Sequence, residues 1–164
     1  MSTTSEFLKQ SDIFDQLTST QLDMVANICT EQRYSAGQVV FEESSNSKEL
    51  YVIARGEVEI LISPTTGESA RDKHQIAVLR HGQSFGEVAL VDEGLRSASA
   101  RATQKDTRLL VIPRDKFLML CETYPQLGYR VMGNLAADLA TKIRNADMKI
   151  RDRLLYLPPP KPNA

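Results

Sequence analysis

The chain has few of the residues that do chemistry. Its 164 residues include two histidines, His74 and His81, and two cysteines, Cys29 and Cys121, widely separated in sequence. A metal site takes roughly three or four ligands, so none is expected. No spacing gathers a serine, a histidine and an aspartate, and no glycine-rich loop with a lysine is present for a nucleoside triphosphate. The chain is read as a non-enzyme.

A basic field is missing too. Lys and Arg number 20 against 21 for Asp and Glu, whereas nucleic-acid binders concentrate positive charge to release counterions from phosphates. Binding to nucleic acid or acidic membranes is not expected. No apolar run approaches the roughly 20 residues of a membrane span. Met1–Gln10 is polar and lacks the apolar centre of a signal peptide. Two distant thiols without a secretory signal point to the reducing cytoplasm. Cys29, at the end of an apolar helical stripe, reads as a buried, inert thiol.

What is present is ordinary globular material, 41% hydrophobic and 25% charged, enough for one core. Thr18 and Gln21 have capping-box spacing, and Leu22, Val25 and Ile28 recur at helical intervals, which predicts a helix over 19–30. From Tyr34 to Ile112 the pattern changes to short runs rich in Val, Ile, Leu and Tyr, broken by turn residues. Strands are predicted at 38–41, 49–54, 58–63, 74–79, 98–103 and 108–112, with Gly37, Gly56 and Gly82 at reversals. Ser63–Lys73 reads as an exposed loop. After Pro113 come a helix around Phe117–Cys121 and a second one from Pro125 to about Arg153. Leu157–Pro162 is proline-rich and reads as extended.

The expected fold class is α+β, mainly β: a jelly-roll β-barrel flanked by N-terminal helices and a long C-terminal helix. The divisions are an N-terminal helical segment 1–30, a barrel 31–112, C-terminal helices 113–155 and a tail 156–164.

The segment 82–98 does not alternate like a strand. Gly86 opens a short helix whose first amides, on Glu87, Val88 and Ala89, have no preceding carbonyl to bond and can face an anion. Arg96 adds a permanently charged planar donor able to bind two phosphate oxygens, and Ser97 adds a hydroxyl. A carboxylate at Glu87 would repel a phosphate unless it points at neutral hydroxyls, which a ribose supplies. The set describes a sugar phosphate better than a free phosphate.

Here the sequence resembles the cyclic nucleotide-binding domain family of catabolite activators, cAMP-dependent kinase regulatory subunits and cyclic-nucleotide-gated channels. The resemblance rests on Phe85-Gly-Glu-Val-Ala-Leu90 with Arg96-Ser-Ala98, similar to that family's phosphate-binding cassette, and on Gly37, Leu50–Ile60 and Gly82. It implies that Glu87 accepts from the ribose 2′-hydroxyl and that Arg96 binds the cyclic phosphate. Gly86, Val88, Ala89 and Ser97 complete the anion site, between Phe85 and Ala98. In family members the last helix closes over the base, which makes Asn134, Asp138 and Thr141 candidate base contacts. The implied ligand is cAMP ahead of cGMP, with no cofactor. One departure is Ser44, where the family usually has a turn glycine. Another is that the chain ends soon after the long helix, without a recognition helix, so direct DNA binding is not expected.

The output is expected to be helix movement, through repacking of Val88, Leu90 and Val91 against the terminal helices. Met132, Ala136, Leu139, Ile143, Ala146 and Ile150 follow alternating four- and three-residue steps, the seam of a possible homodimer. That seam can instead pack on its own domain. The effector protein is unknown. The alternatives are a ligand-free oligomerising scaffold in which Glu87 and Arg96 merely pair with each other, and a sensor of another small anion.

Overall fold

The computed structural model describes residues 2–64 and 73–156. Most of the expected 63–73 loop, and all of the tail after Tyr156, lie outside these residues.

Two helices lead in. Helix α1, Thr3–Lys9, starts at Ser2, whose hydroxyl accepts from the Ser5 amide. A single 3-10 turn, Asp12–Phe14, connects it towards α2, Ser19–Ile28. At α2 the Thr18 hydroxyl accepts from the Gln21 amide at 3.2 Å while the Gln21 side chain accepts from the Thr18 amide at 3.0 Å. Each partner satisfies an amide that the helix itself cannot.

Among the described residues eight strands follow: β1 Thr30–Tyr34, β2 Val39–Phe41, β3 Glu49–Arg55, β4 Glu57–Ile62, β5 His74–Arg80, β6 Ser84–Phe85, β7 Ser99–Ala102 and β8 Thr107–Pro113. The expected barrel is not a closed one. The strands form two antiparallel four-stranded sheets, ordered β1-β8-β3-β6 and β2-β7-β4-β5. Closure would need an edge strand long enough to bridge the sheets, and β6, at one edge, is two residues long. The jelly-roll character stands as a sandwich.

Strand β3 shows why its sequence is an unbroken apolar run. Leu50, Val52 and Ala54 face a core shared with Leu8, Phe14, Leu22, Val25, Phe117, Leu127 and Val131 of the helices. Tyr51 and Ile53 point the other way, into the space between the sheets, with Val58, Phe85 and Ala102. Strand β8 divides in the same manner, Leu110 and Ile112 against Leu109 and Val111. A strand buried on both faces has no polar side to alternate with. The molecule is therefore three layers: helices, the β3/β8 sheet, then the second sheet.

Gly56, between β3 and β4, has φ +89°, and a Cβ there would lie 2.5 Å from Thr107 Oγ1, so both the backbone and the space demand glycine.

Between β6 and β7 lies a one-turn helix, α3, Val88–Val91. The C-terminal helices are α4, Arg114–Thr123, and the long α5, Pro125–Leu155, with Pro125 at its first turn. Among the described residues no helix is long and apolar enough to cross a membrane.

Candidate functional site

The site starts where β6 leaves the sheet. Tyr51 pairs with Phe85 in register, and their rings stack with centroids 5.0 Å apart. Gly86 then turns the chain at φ +84°, and a Cβ there would fall 2.8 Å from both Arg96 Nη1 and the Glu49 carbonyl. Any side chain would push Arg96 away. Glu87 follows as the N-cap of α3, its carbonyl accepting from Leu90 and Val91 at 3.0 and 3.2 Å. Because α3 is a single turn, few peptide dipoles align in it, and Arg96 is the main positive charge.

Arg96 is 4% exposed. Its Nε donates to Ser47 Oγ at 2.7 Å, Nη1 to the Gly86 carbonyl at 3.0 Å and Nη2 to the Glu49 carbonyl at 2.7 Å. The guanidinium lies 4.1 Å above the Phe41 ring centre, a cation–π contact. Its main chain is clamped as well: the Ser44 amide donates to the Arg96 carbonyl at 2.8 Å and the Arg96 amide to the Ser45 carbonyl at 3.0 Å. Burial pulls the guanidinium below its ordinary pKa, opposed by Tyr51, Glu49 and Glu87, but arginine remains charged. Its hydrogen-bond partners are neutral, and the Glu49 carboxylate is 3.8 Å away.

Glu87, 6% exposed, is not held by Arg96. Its Oε1 accepts from Lys142 Nζ of α5 at 2.8 Å, and the same ammonium donates to the Ser84 carbonyl at 3.0 Å. Asp138 Oδ2 lies 2.7 Å from it. Burial by itself would lower the Lys142 pKa; Glu87 and Asp138 outweigh it and hold the ammonium above its usual value. The scaffold alternative in which Glu87 and Arg96 neutralise each other is not what forms: each has its own partners.

The structure gathers Phe85, Gly86, Glu87 and Arg96 into one site. Other expected members are placed differently. Ser97 is exposed and Ala98 half-buried at the approach to β7. The buried hydroxyl is that of Ser99, which accepts from the Glu43 amide at 2.9 Å and donates to Glu42 at 3.0 Å. Ala89 lies within α3. Val88 and Val91 of α3 are 42% and 59% exposed, and only Leu90 is buried in the helix-side core, because one helical turn can present one residue inward. Contact with the helix-side core is therefore made by Leu90, whose carbonyl accepts from Arg114 Nε at 3.1 Å.

Of the three candidate base contacts, Asp138 stands beside the cassette through Lys142. The Asn134 amide instead donates to the Ile13 and Asp15 carbonyls, tying α5 to the N-terminal turn. Thr141 is exposed and donates to the Ala137 carbonyl of its own helix, a common helical side-chain bond. Sequence reasoning missed Ser47, Glu49 and Phe41 around Arg96, since two of these contacts use a backbone carbonyl or a ring face. Lys142 was legible only as the i+4 partner of Asp138.

The family model for the cyclic nucleotide-binding domain matches residues 31–124. The cyclic AMP receptor protein of Thermus thermophilus is 33% identical over 143 residues, 87% of this chain and 62% of its own length. Human cGMP-dependent protein kinase 2 is 27% identical over 131 residues, 79% of this chain and 17% of the kinase. The crystal structure of Thermus thermophilus catabolite activator protein superposes with a TM-score of 0.73 at 33% identity, covering 86% of this chain and 62% of the other. The chain thus spans less than two thirds of the length of these relatives. With the family model matching more than half of its length and the cassette formed as described, the chain belongs to the cyclic nucleotide-binding domain family.

Proposed function

We propose that this chain is a regulatory sensor domain that binds a cyclic mononucleotide, cAMP ahead of cGMP, and passes occupancy to its C-terminal helices. One observation carries the reading: Arg96 is a buried cation whose hydrogen-bond partners are all neutral oxygens. Its one nearby counterion, the Glu49 carboxylate at 3.8 Å, lies beyond hydrogen-bond reach, so the buried charge is only partly compensated, and an incoming phosphate would complete the compensation through charge-assisted bonds. A ligand-free scaffold would have no use for it.

Within this reading Arg96 meets the cyclic phosphate, Glu87 accepts from the ribose hydroxyl, and the ordering of the preference follows the greater identity to a cAMP receptor than to a cGMP-dependent kinase. Neither step needs a catalytic group or a cofactor. Two half-buried free thiols, Cys29 and Cys121, whose pKa values burial raises to about 12 and about 11, suit a reducing cytoplasm. Coupling to the helices would run through Leu90 into the helix-side core and through Glu87 to α5. The seam along α5 would carry a homodimer, since Ala136, Ile143, Ala146 and Ile150 are exposed while Met132 and Leu139 lean on the domain's own core.

Thermal unfolding with each nucleotide tests the reading. Ligand at 100 times its Kd adds about 2.7 kcal/mol, a rise of roughly 5–10 °C in Tm for a domain of this size. Arg96→Ala is expected to abolish the rise. Absence of any rise with cAMP or cGMP, or an undiminished rise in Arg96→Ala, would overturn the assignment.

A further inference from the structure

The Glu87 carboxylate of the cassette is already half occupied. Lys142 takes Glu87 Oε1; the other oxygen, Oε2, has no hydrogen-bond partner among the described residues. Lys142 is itself placed from three sides, by the Ser84 carbonyl, by Glu87 and by Asp138, whose Oδ2 is buried close by without an aligned hydrogen bond. The residue lies on α5 where the helix leaves the sandwich. From Ile143 to Ile150 every side chain is exposed, and Lys149, two turns on, makes the next contact by donating to the Ile76 carbonyl of β5 at 2.9 Å.

Two physical consequences meet at Lys142. An ionised carboxylate only accepts hydrogen bonds, so a Glu87 held by an ammonium rewards a donor such as a hydroxyl and not an acceptor. Its negative charge would also repel an anionic ligand in the same pocket, and the ammonium cancels that repulsion at short range. Without Lys142, the Glu87 side chain would be a buried charge with no hydrogen-bond partner, free to change rotamer. A changed rotamer takes the acceptor away from the sugar.

On the reading that the cassette binds a cyclic nucleotide, we propose that Lys142 is a positioning residue for sugar recognition. It fixes Glu87 through Oε1 so that Oε2 accepts from the ribose 2′-hydroxyl. Preference for a ribonucleotide over its 2′-deoxy counterpart then depends on α5 being docked. By linkage, a ligand that uses the 2′-hydroxyl favours the docked helix more than one that lacks it.

The test measures Kd for cAMP and for 2′-deoxy-cAMP with the full chain, in the wild type and in Lys142→Met, Lys142→Arg, Glu87→Gln and the double variant Glu87→Gln/Lys142→Met. One hydrogen bond to a charged acceptor makes the expected wild-type preference for cAMP on the order of tenfold or more. In Lys142→Met that ratio falls to about threefold or less, with 2′-deoxy-cAMP affinity nearly unchanged, and Lys142→Arg restores part of it. The double variant discriminates no worse than Glu87→Gln alone, because the two residues act as one unit. It also removes both charges of the pair together, so a folded protein remains available if Lys142→Met is unstable. Equal weakening of both nucleotides in Lys142→Met overturns the proposal, since Lys142 would then only hold the helix. Equal wild-type affinity for both nucleotides overturns it while leaving the sensor reading intact. Failure of the wild type to bind either overturns both.

Discussion

Arg96 and Glu87 were legible at the residue scale because their chemistry is carried by residue type and a short span of chain. The residues that hold them were not. Ser47 of the loop before β3 and Glu49 at the start of β3 reach Arg96 from far away in sequence, and two of the acceptors are carbonyls that every residue possesses. Ser44 shows the opposite case, a departure visible in sequence whose cost the structure explains. It sits at φ +64°, in the left-handed region, with its amide bonded to the Arg96 carbonyl. A non-glycine residue there costs roughly 1–2 kcal/mol, and glycine returns about 0.5–1 kcal/mol of that as unfolded-state entropy. Ser44→Gly is therefore expected to raise Tm by about 1–4 °C. Asp106 also has a positive φ, +54°, but it pairs with Arg55 at 3.0 Å and Arg108 at 3.2 Å. Asp106→Gly should lower Tm, and calorimetry of both variants checks the contrast.

Among elements, the capping box of α2 and the apolar runs of β3 and β8 could be read directly, since both are local patterns. Strand β1 could not. Its residues Thr-Glu-Gln-Arg-Tyr are exposed except for Tyr34, so pairing with β8 alone makes it a strand. Helix α1 was legible as part of the N-terminal helical segment but not in its bounds, since it lies in a polar stretch with Leu8 its large buried apolar side chain. Pairing across strands also sets an acid response. Glu59 of β4 accepts from Arg101 of β7 at 2.6 Å and from Gln75 of β5 at 2.8 Å. Burial would raise its pKa, but the Gln75 and Arg101 bonds outweigh it and hold the carboxyl below its ordinary range. A depressed folded-state pKa contributes stability above the unfolded value of about 4.3 and loses it as pH falls through the folded value. Glu59→Gln should cost about 1 kcal/mol at pH 7, moderated by solvent around Arg101. The gap between wild type and variant should close as urea unfolding is repeated from about pH 5 down to about pH 3. A gap that stays constant with pH would show that the charge of Glu59 is not involved.

For the whole molecule, the decisive element is α5, 31 residues long, whose buried apolar side chains all lie in its first half and whose second half touches the sandwich through Lys142 and Lys149. Leu127, Val131 and Leu135 are buried against the helix-side core, and Asn134 ties the same half to the N-terminal turn. Beyond Lys142 the helix carries exposed apolar residues, among them Ile143 at 62%. A second copy is the proposed cover for this face. Light scattering is expected to give a dimer mass for the wild type and a monomer mass for Ile143→Asp, with the melting temperature of the sandwich little changed. A monomeric wild type would remove the seam from the proposal.

By itself the sequence determined most of the elements and the placing of Gly86, Glu87 and Arg96 in one short segment, because helix caps, strand runs and turn glycines act over short stretches of chain. Tertiary structure alone decided that the strands form two facing sheets, that Arg96 is gripped by neutral oxygens, and that Lys142 holds Glu87. Those outcomes depend on which distant segments meet, and that is set by the shared burial of two cores, which no local pattern encodes.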